Sequence, residues 1–264
     1  MLERMIARLR GGPAGLGPSV SRPVWFVGDL HGRADALDAL LARLRPELNA
    51  AREAGGALVF LGDYVDRGPD SAAVLTRLRR MVESDDLETV CLIGNHERMM
   101  LDFMDDPVQR GRFWMRNGGA RTLESFGLPP VGADGGPRAL RGAATALRAA
   151  LAPGMEEWLR NLPLQWSHGE LACVHAGMDP ARPATAQDPD VMVWGHPDFA
   201  QRRREDALWV AHGHTVVERP AAEEGRIAVD TGAWRTGRLT AGCVRPGDAA
   251  VSFESVQLAP ATGR

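Results

Sequence analysis

The chain has 264 residues, 44% of them hydrophobic and 25% charged, and a formal net charge of −3. That length can bury one sizeable core, or a domain with an insertion. The slight negative charge supplies no field toward nucleic acid or acidic lipid, so neither is expected as a partner.

Residues 1–22 are expected to form an N-terminal helix and linker. Leu2, Met5, Ile6 and Leu9 share one helical face, ahead of a Gly/Pro-rich stretch. A docked terminal helix is preferred to one lying on a membrane surface, and the charges at Glu3, Arg4, Arg8 and Arg10 exclude a secretory signal. Apolar runs at 24–27, 58–61 and 89–93 predict strands, alternating with helical spacing at 34–48, at 71–82 and from 97 to 104. That alternation is the pattern of an α/β sheet with crossover helices. Residues 105–161 read differently, with helical pieces at 122–126, 138–151 and 155–161 around a Gly/Pro connector at 129–137. They are expected to be a helical insertion within a catalytic domain spanning 23–258. Strands return at 171–175, 208–211, 226–230, 239–244 and 251–256, and 259–264 reads as a loose tail. No apolar run approaches the roughly eighteen residues a membrane span needs. Cys91, Cys173 and Cys243 are far apart and form no CxxC pair. They read as small buried hydrophobes in a reducing compartment, so the expected location is cytoplasmic.

Each of the first three strands runs into a glycine followed by ligand-type side chains. The segments are Gly28-Asp29-Leu30-His31-Gly32, Gly62-Asp63-Tyr64-Val65-Asp66-Arg67-Gly68 and Gly94-Asn95-His96-Glu97. In an open parallel sheet these are carboxyl ends of strands, where ligands bind. Carboxylates and imidazoles without thiolates suit a pair of divalent metals such as manganese, iron, zinc or cobalt. A metal pair needs a shared anionic ligand, and Asp63 on the central strand is the natural bridge. Further imidazoles come late, in His175-Ala176-Gly177 and Gly213-His214-Thr215, each after a strand.

The ordered series GDLHG, GDYVDRG, GNHE, HAG and GHT, followed by Asp230-Thr231-Gly232, resembles the phosphoprotein phosphatase branch of the calcineurin-like metallophosphoesterases. The resemblance is greatest to small bacterial and phage serine/threonine phosphatases, and it covers roughly 24–244. It implies an α/β fold of four layers, α/β/β/α, with a central β-sandwich flanked by helices. It also implies two divalent metals, manganese first and an iron–zinc type pair as the alternative. On that resemblance Asp29 and His31 hold the first metal, Asp63 bridges, and Asn95, His175 and His214 hold the second. Arg67 binds phosphate, and Asp66 orients His96 as general acid. A water acidified by both metals would be the nucleophile at neutral pH. A serine alkoxide leaves poorly, so it needs the proton His96 would give. The implied activity is hydrolysis of phosphate monoesters, with a phosphorylated protein as substrate. The alternative is a small phosphoester such as diadenosine tetraphosphate, and the least favoured reading is a non-catalytic binding module.

The pattern breaks where phage-like relatives carry a second phosphate-binding arginine two residues after a tryptophan. Here Trp194-Gly195-His196 puts a histidine there. Either His196 binds phosphate, or one of Arg202, Arg203 and Arg204 does, Arg203 foremost among the three. Asn117, in Phe113-Trp114-Met115-Arg116-Asn117-Gly118-Gly119, is expected on the leaving-group side of the cleft, whereas its aromatic neighbours read as a hydrophobic plug. His168 reads as solvated in a polar turn, His212 as a strand-end residue near the site. Asp230 is expected to bond a ligand histidine.

Overall fold

The computed structural model describes residues 17–84, 86–248 and 250–261 and contains two mixed five-stranded sheets packed face to face. The expected helix within 1–10 lies outside the described residues. The first sheet joins β1 (Val24–Val27), β2 (Ala57–Phe60) and β3 (Glu88–Cys91) in parallel, and two antiparallel strands, β9 (Arg238–Val244) and β10 (Ser252–Gln257), extend it past β1. The second sheet runs β4 (Gln165–His168), β5 (Leu171–Val174), β6 (Trp209–His212), β8 (Arg226–Ala228), β7 (Ala221–Glu223). In it β5, β6 and β8 are parallel to one another.

Alternation along the strands assigns the layers. Val24, Phe26, Val59 and Leu61 meet Leu171, Cys173, Ala211 and Ile227 between the sheets. Trp25, Val27, Leu58 and Phe60 point the other way, into a core closed by helices. Strands apolar on both faces must be covered on both. The cover on that side is α1 (Ala34–Glu53), α2 (Ser71–Val82) and α3 (Asn95–Asp105), followed by α4 (Pro107–Arg116), α5 (Gly119–Ser125), α6 (Pro137–Ala150) and α7 (Met155–Arg160). The outer face of the second sheet, with Ala172, Val174 and Val210, is closed more thinly by Met178, Met192 and Phe199. Met192 there belongs to the short α8 (Pro189–Trp194).

The middle of the chain shares the main core instead of forming its own. Leu123, Leu140 and Leu147 belong to the same cluster as Trp25 and Leu37. Helix α1 continues past the expected residue 48 to Glu53, since the apolar period ends there while good helix formers such as Ala50 and Ala51 carry it on. Helix α4 was not expected, although its start carries a signal: Asp106 accepts the Gln109 N–H at 3.2 Å and Pro107 follows it. His168, read as solvated in a turn, instead lies on edge strand β4, stacked on Trp166 and bonded to Ser21 at 2.9 Å. The beginning of the expected loose tail is tied down, with Ala259 O accepting from Arg33 and Ala261 N–H donating to Trp234 O.

Candidate active site and metal centre

The carboxyl ends of β1, β2, β3, β5 and β6 converge. His31 follows β1, Asp63 follows β2, Asn95 and His96 open α3 after β3, His175 follows β5 and His214 follows β6. Asp63 is at the centre: its carboxylate lies 3.3 Å from His175 Nε2, 3.5 Å from His31 Nε2 and 3.9 Å from His96 Nε2. Two triplets, His31–Asp63–His96 and Asp63–His175–His214, each bring ligand atoms within 4.8 Å of one another and share Asp63. Asn95 Oδ1 lies 2.9 Å from both His175 Nε2 and His214 Nδ1. Asp29 approaches from the other wall, where both its oxygens accept the His214 N–H at 3.1 Å. The six residues expected as metal ligands are therefore brought into one cleft, and His96 stands beside them.

Bonds behind the ligands set which imidazole nitrogen faces inward. His31 Nδ1–H donates to Val65 O and His175 Nδ1–H to Leu61 O, each at 2.9 Å, which leaves both Nε2 atoms free as donors to a metal. Burial, and after it His96, holds the His31 imidazole well below its usual range. Burial also lowers His175, and with His175 it lowers His214 to about 4. Neutral imidazoles are what metal ligation requires. Burial alone would raise the Asp63 carboxyl, yet the facing His175, His96 and His31 hold it low. An imidazole and carboxylate set without thiolate, doubled about one anion, fits two borderline divalent metals.

His96 differs from the other imidazoles in its partner. Its Nδ1 meets Asp66 Oδ2 at 2.6 Å. Burial would lower it, but Asp63 and Asp66 outweigh that and raise it above the ordinary value. The imidazoles of this one cleft are thus pushed in opposite directions, His31, His175 and His214 down and His96 up. Arg67, the next residue after Asp66, lies with its guanidinium carbon 5.1 Å from the Trp234 ring centroid.

The loops hold unusual backbone. Among the described residues, positive φ occurs at six non-glycine positions, and five are His31, Asp63, Asp66, Arg67 and His214. Left-handed backbone costs such residues of order 1–3 kcal/mol each, and it persists where surroundings over-determine it. Glu97 is one cause. Buried completely, its Oε1 accepts the N–H groups of Tyr64 and Val65, and its Oε2 those of Asp63 and Gly94.

Asp230 and Arg204 meet a different arrangement from the one expected. Asp230 bonds no ligand histidine among the described contacts; it accepts the Gly232 N–H and neighbours the Asp29 carboxylate, and burial raises it to about 6. Arg204, one of three clamp candidates, is buried and committed to Asp206 and to the Asp179 and Arg182 carbonyls. Arg202 pairs with Glu205 at 3.9 Å, and Arg203 is exposed. His196 is half-buried in the turn after α8, its Nδ1 accepting the Asp198 N–H at 3.2 Å. Asn117 caps α4 and donates to Phe113 O at 2.9 Å. His212 is buried against Phe199, at the end of β6 beside Gly213. Sequence reasoning missed Trp234 under Arg67, Glu97 under the loop, and Trp114 with Thr122 on Asp66. Trp234 could have been found from its place two residues after Gly232.

A fold of two packed sheets with a doubled histidine–carboxylate cluster at the strand ends defines a metallophosphoesterase. Residues 22–218 match the calcineurin-like phosphoesterase family, and the chain belongs to it. Among its relatives, the asymmetrical bis(5'-nucleosyl)-tetraphosphatase PrpE of Bacillus velezensis is 26% identical over 87% of this chain and 92% of its own. Serine/threonine-protein phosphatase 1 of Salmonella typhimurium is 37% identical, over 37% of this chain and 39% of its own. A crystal structure of a candidate diadenosine tetraphosphatase shares the fold, with a TM-score of 0.59 and 20% identity over 92% of this chain and 98% of that one. Among the described residues no helix is long and apolar enough to cross a membrane.

Proposed function

We propose that this metallophosphoesterase is a manganese-dependent phosphomonoesterase acting on phosphoserine and phosphothreonine in proteins. The observation that carries the reading is the buried His96–Asp66 pair, joined at 2.6 Å. A proton donor matters most when the leaving group is a poor one such as an alkoxide. Asp29, His31 and Asp63 would hold one metal, and Asp63, Asn95, His175 and His214 the other. When bound, such a pair gathers phosphate oxygens and acidifies a water. Arg67 meets the phosphate with a planar fork, steadied by Trp234. His96 Nε2 delivers its proton to the leaving oxygen while Nδ1 stays on Asp66. Three free, buried cysteines support a reducing, cytoplasmic setting.

For the second phosphate contact we favour His196 over Arg203. The loop bearing it follows α8, whose Met192 O accepts the Ala176 N–H at 2.8 Å, one residue from ligand His175. His196→Ala should raise KM for an aryl phosphate about tenfold, as loss of one charge-assisted contact does, while Arg203→Ala stays within twofold. The reverse order of effects would move the clamp to Arg203.

A second reading, hydrolysis of a dinucleoside tetraphosphate, has its own support. The tetraphosphatase relative matches along most of the chain. In addition, Phe113 is 54% exposed and Trp194 40% exposed, and their rings meet at 6.3 Å between centroids. Exposed aromatic faces suit stacking of a base, a contact worth about 1–3 kcal/mol. Turnover of a phosphoserine peptide, p-nitrophenyl phosphate and diadenosine tetraphosphate with added manganese separates the readings. The peptide is expected to have the highest kcat/KM. A strong preference for the dinucleotide, lost in Phe113→Ala and Trp194→Ala, would replace the first reading with the second.

A further inference from the structure

Asp66 is held by more than its histidine. Its side chain is fully buried, and its two oxygens receive three donors. Oδ2 takes His96 Nδ1 at 2.6 Å and Trp114 Nε1 at 2.9 Å, while Oδ1 takes Thr122 Oγ1 at 2.6 Å and Trp114 Nε1 at 3.1 Å. Thr122 Oγ1 also accepts the Asp66 N–H at 2.8 Å, so one hydroxyl grips both the backbone and the carboxylate. Ser71 Oγ accepts the same N–H at 3.1 Å. The residue so gripped has φ 72°, a backbone that a free aspartate seldom adopts.

The grip comes from the segment between β3 and β4. Trp114 lies on α4 and Thr122 on α5. Gly119 joins them, and a side chain there would strike the Trp114 ring, so the glycine lets α5 close onto the indole and bring Thr122 within reach. Its neighbour Gly118 turns with φ 107° against the Arg67 backbone. Trp114 is wholly buried beside Phe103, yet its one polar atom is aimed at Asp66 and not left in the core. A carboxylate with donors on both oxygens cannot rotate without breaking charge-assisted bonds.

We propose that Trp114 and Thr122 are positioning residues for the acid step: they fix the Asp66 carboxylate, which fixes the His96 ring so that Nε2 points at the leaving oxygen. The proposal rests on the reading of His96 as general acid. As the P–O bond breaks, the proton on Nε2 passes to the leaving oxygen, and the ring keeps its bond to Asp66 through Nδ1. Loosening Asp66 therefore slows departure of poor leaving groups and spares good ones, which need no proton.

The test is a series of aryl phosphates of graded leaving-group acidity, turned over by the manganese-loaded full chain. Trp114→Phe keeps a ring against Gly119 and Phe103 but removes the donor; Thr122→Val keeps the shape and removes the hydroxyl; Thr122→Ser keeps the hydroxyl. Both donor-removing variants are expected to lose about 10–100-fold in kcat on phenyl phosphate, the range seen when supporting hydrogen bonds in a site are lost. On 2,4-dinitrophenyl phosphate they should stay within about threefold, KM should hold, and Thr122→Ser should restore phenyl phosphate turnover. A uniform fall across the series, or no fall, overturns the proposal. The two variants act on one carboxylate from different helices, so either can decide if the other does not fold. His96→Asn is run beside them. If its loss is the same for every leaving group, the general-acid reading itself fails; if only the Trp114 and Thr122 variants lack the slope, that reading stands and the positioning role falls.

Discussion

Asp63→Asn is expected to lower kcat by at least about 10³-fold, with manganese binding weakened in parallel. The substitution keeps the size of the side chain and one acceptor, so the His96 N–H now donating to Oδ1 at 3.0 Å can still be met. What disappears is the negative charge that three imidazoles face, at 3.3 Å for His175, 3.5 Å for His31 and 3.9 Å for His96. Both histidine–carboxylate triplets share that one carboxylate. Losing it would leave one cation to Asp29 and His31 and the other to the neutral Asn95, His175 and His214, with no carboxylate shared between them. Metal pairs contribute several kcal/mol to phosphoryl hydrolysis, and each 1.4 kcal/mol is a factor of about ten in rate. The checks are kcat on p-nitrophenyl phosphate across a manganese titration and metal content after desalting. Retained metal with activity within tenfold of the parent would remove Asp63 from its bridging role. His175→Ala is the useful comparison, because it removes one ligand from one triplet and should be partly offset by excess metal, whereas Asp63→Asn should not.

Much of this centre is legible in the chain because strand-end chemistry is local. A short apolar run, a glycine and an Asp, Asn or His close behind it form a unit that can be read without knowing its neighbours, and the segments carrying Asp29 with His31, Asp63, and Asn95 are three such units. The parallel strands followed from the same alternation. What escaped reading is held by contacts between distant residues. Thr122 reaches Asp66 across 56 positions, and nothing near Thr122 in the chain marks it as more than one residue of an amphipathic helix. Trp114 looked like a plug because tryptophan usually is one, and its ring does fill the core. Only the direction of its Nε1–H separates the two roles. Arg204 reads as part of a charge run until the fold brings the Asp179 and Arg182 carbonyls to it. Edge strand β4 lacked a clear alternation because its residues are all partly exposed. Helix α4 carried its start signal in Asp106-Pro107, and a reading weighted toward capping would have placed it.

Glu97→Gln should destabilise the fold and loosen the metal site together, since one carboxylate organises the loop after β2. Oε1 accepts Tyr64 N–H at 2.7 Å and Val65 N–H at 3.2 Å, and Oε2 accepts Asp63 N–H at 2.9 Å and Gly94 N–H at 3.0 Å. Every group in that set except the carboxylate is a donor. An amide has one acceptor end, so whichever way it turns, its NH2 confronts two buried N–H groups. Burial and Asp63 raise the Glu97 carboxyl to about 7, and the N–H groups of Tyr64 and Val65 pull it back down. Two unsatisfied buried donors cost roughly 1–3 kcal/mol each. For a chain of this size 1 kcal/mol moves Tm by about 2–4 °C, so a fall of roughly 5–20 °C is expected in thermal unfolding. Asp63 has φ 54°, and without its N–H anchored that backbone has reason to relax toward ordinary values. Manganese affinity should then drop about 10–100-fold, as it does when the partners of metal ligands are removed. Saturating metal would restore part of the activity, and part of the Tm through linkage. Glu97→Asp, which keeps both acceptors but shortens the reach, should lie between parent and Glu97→Gln on both measures. A Glu97→Gln protein that melts within 2 °C of the parent would mean that the loop is shaped by the metals and not by the carboxylate beneath it, a result that metal-stripped melting curves of both proteins would expose directly.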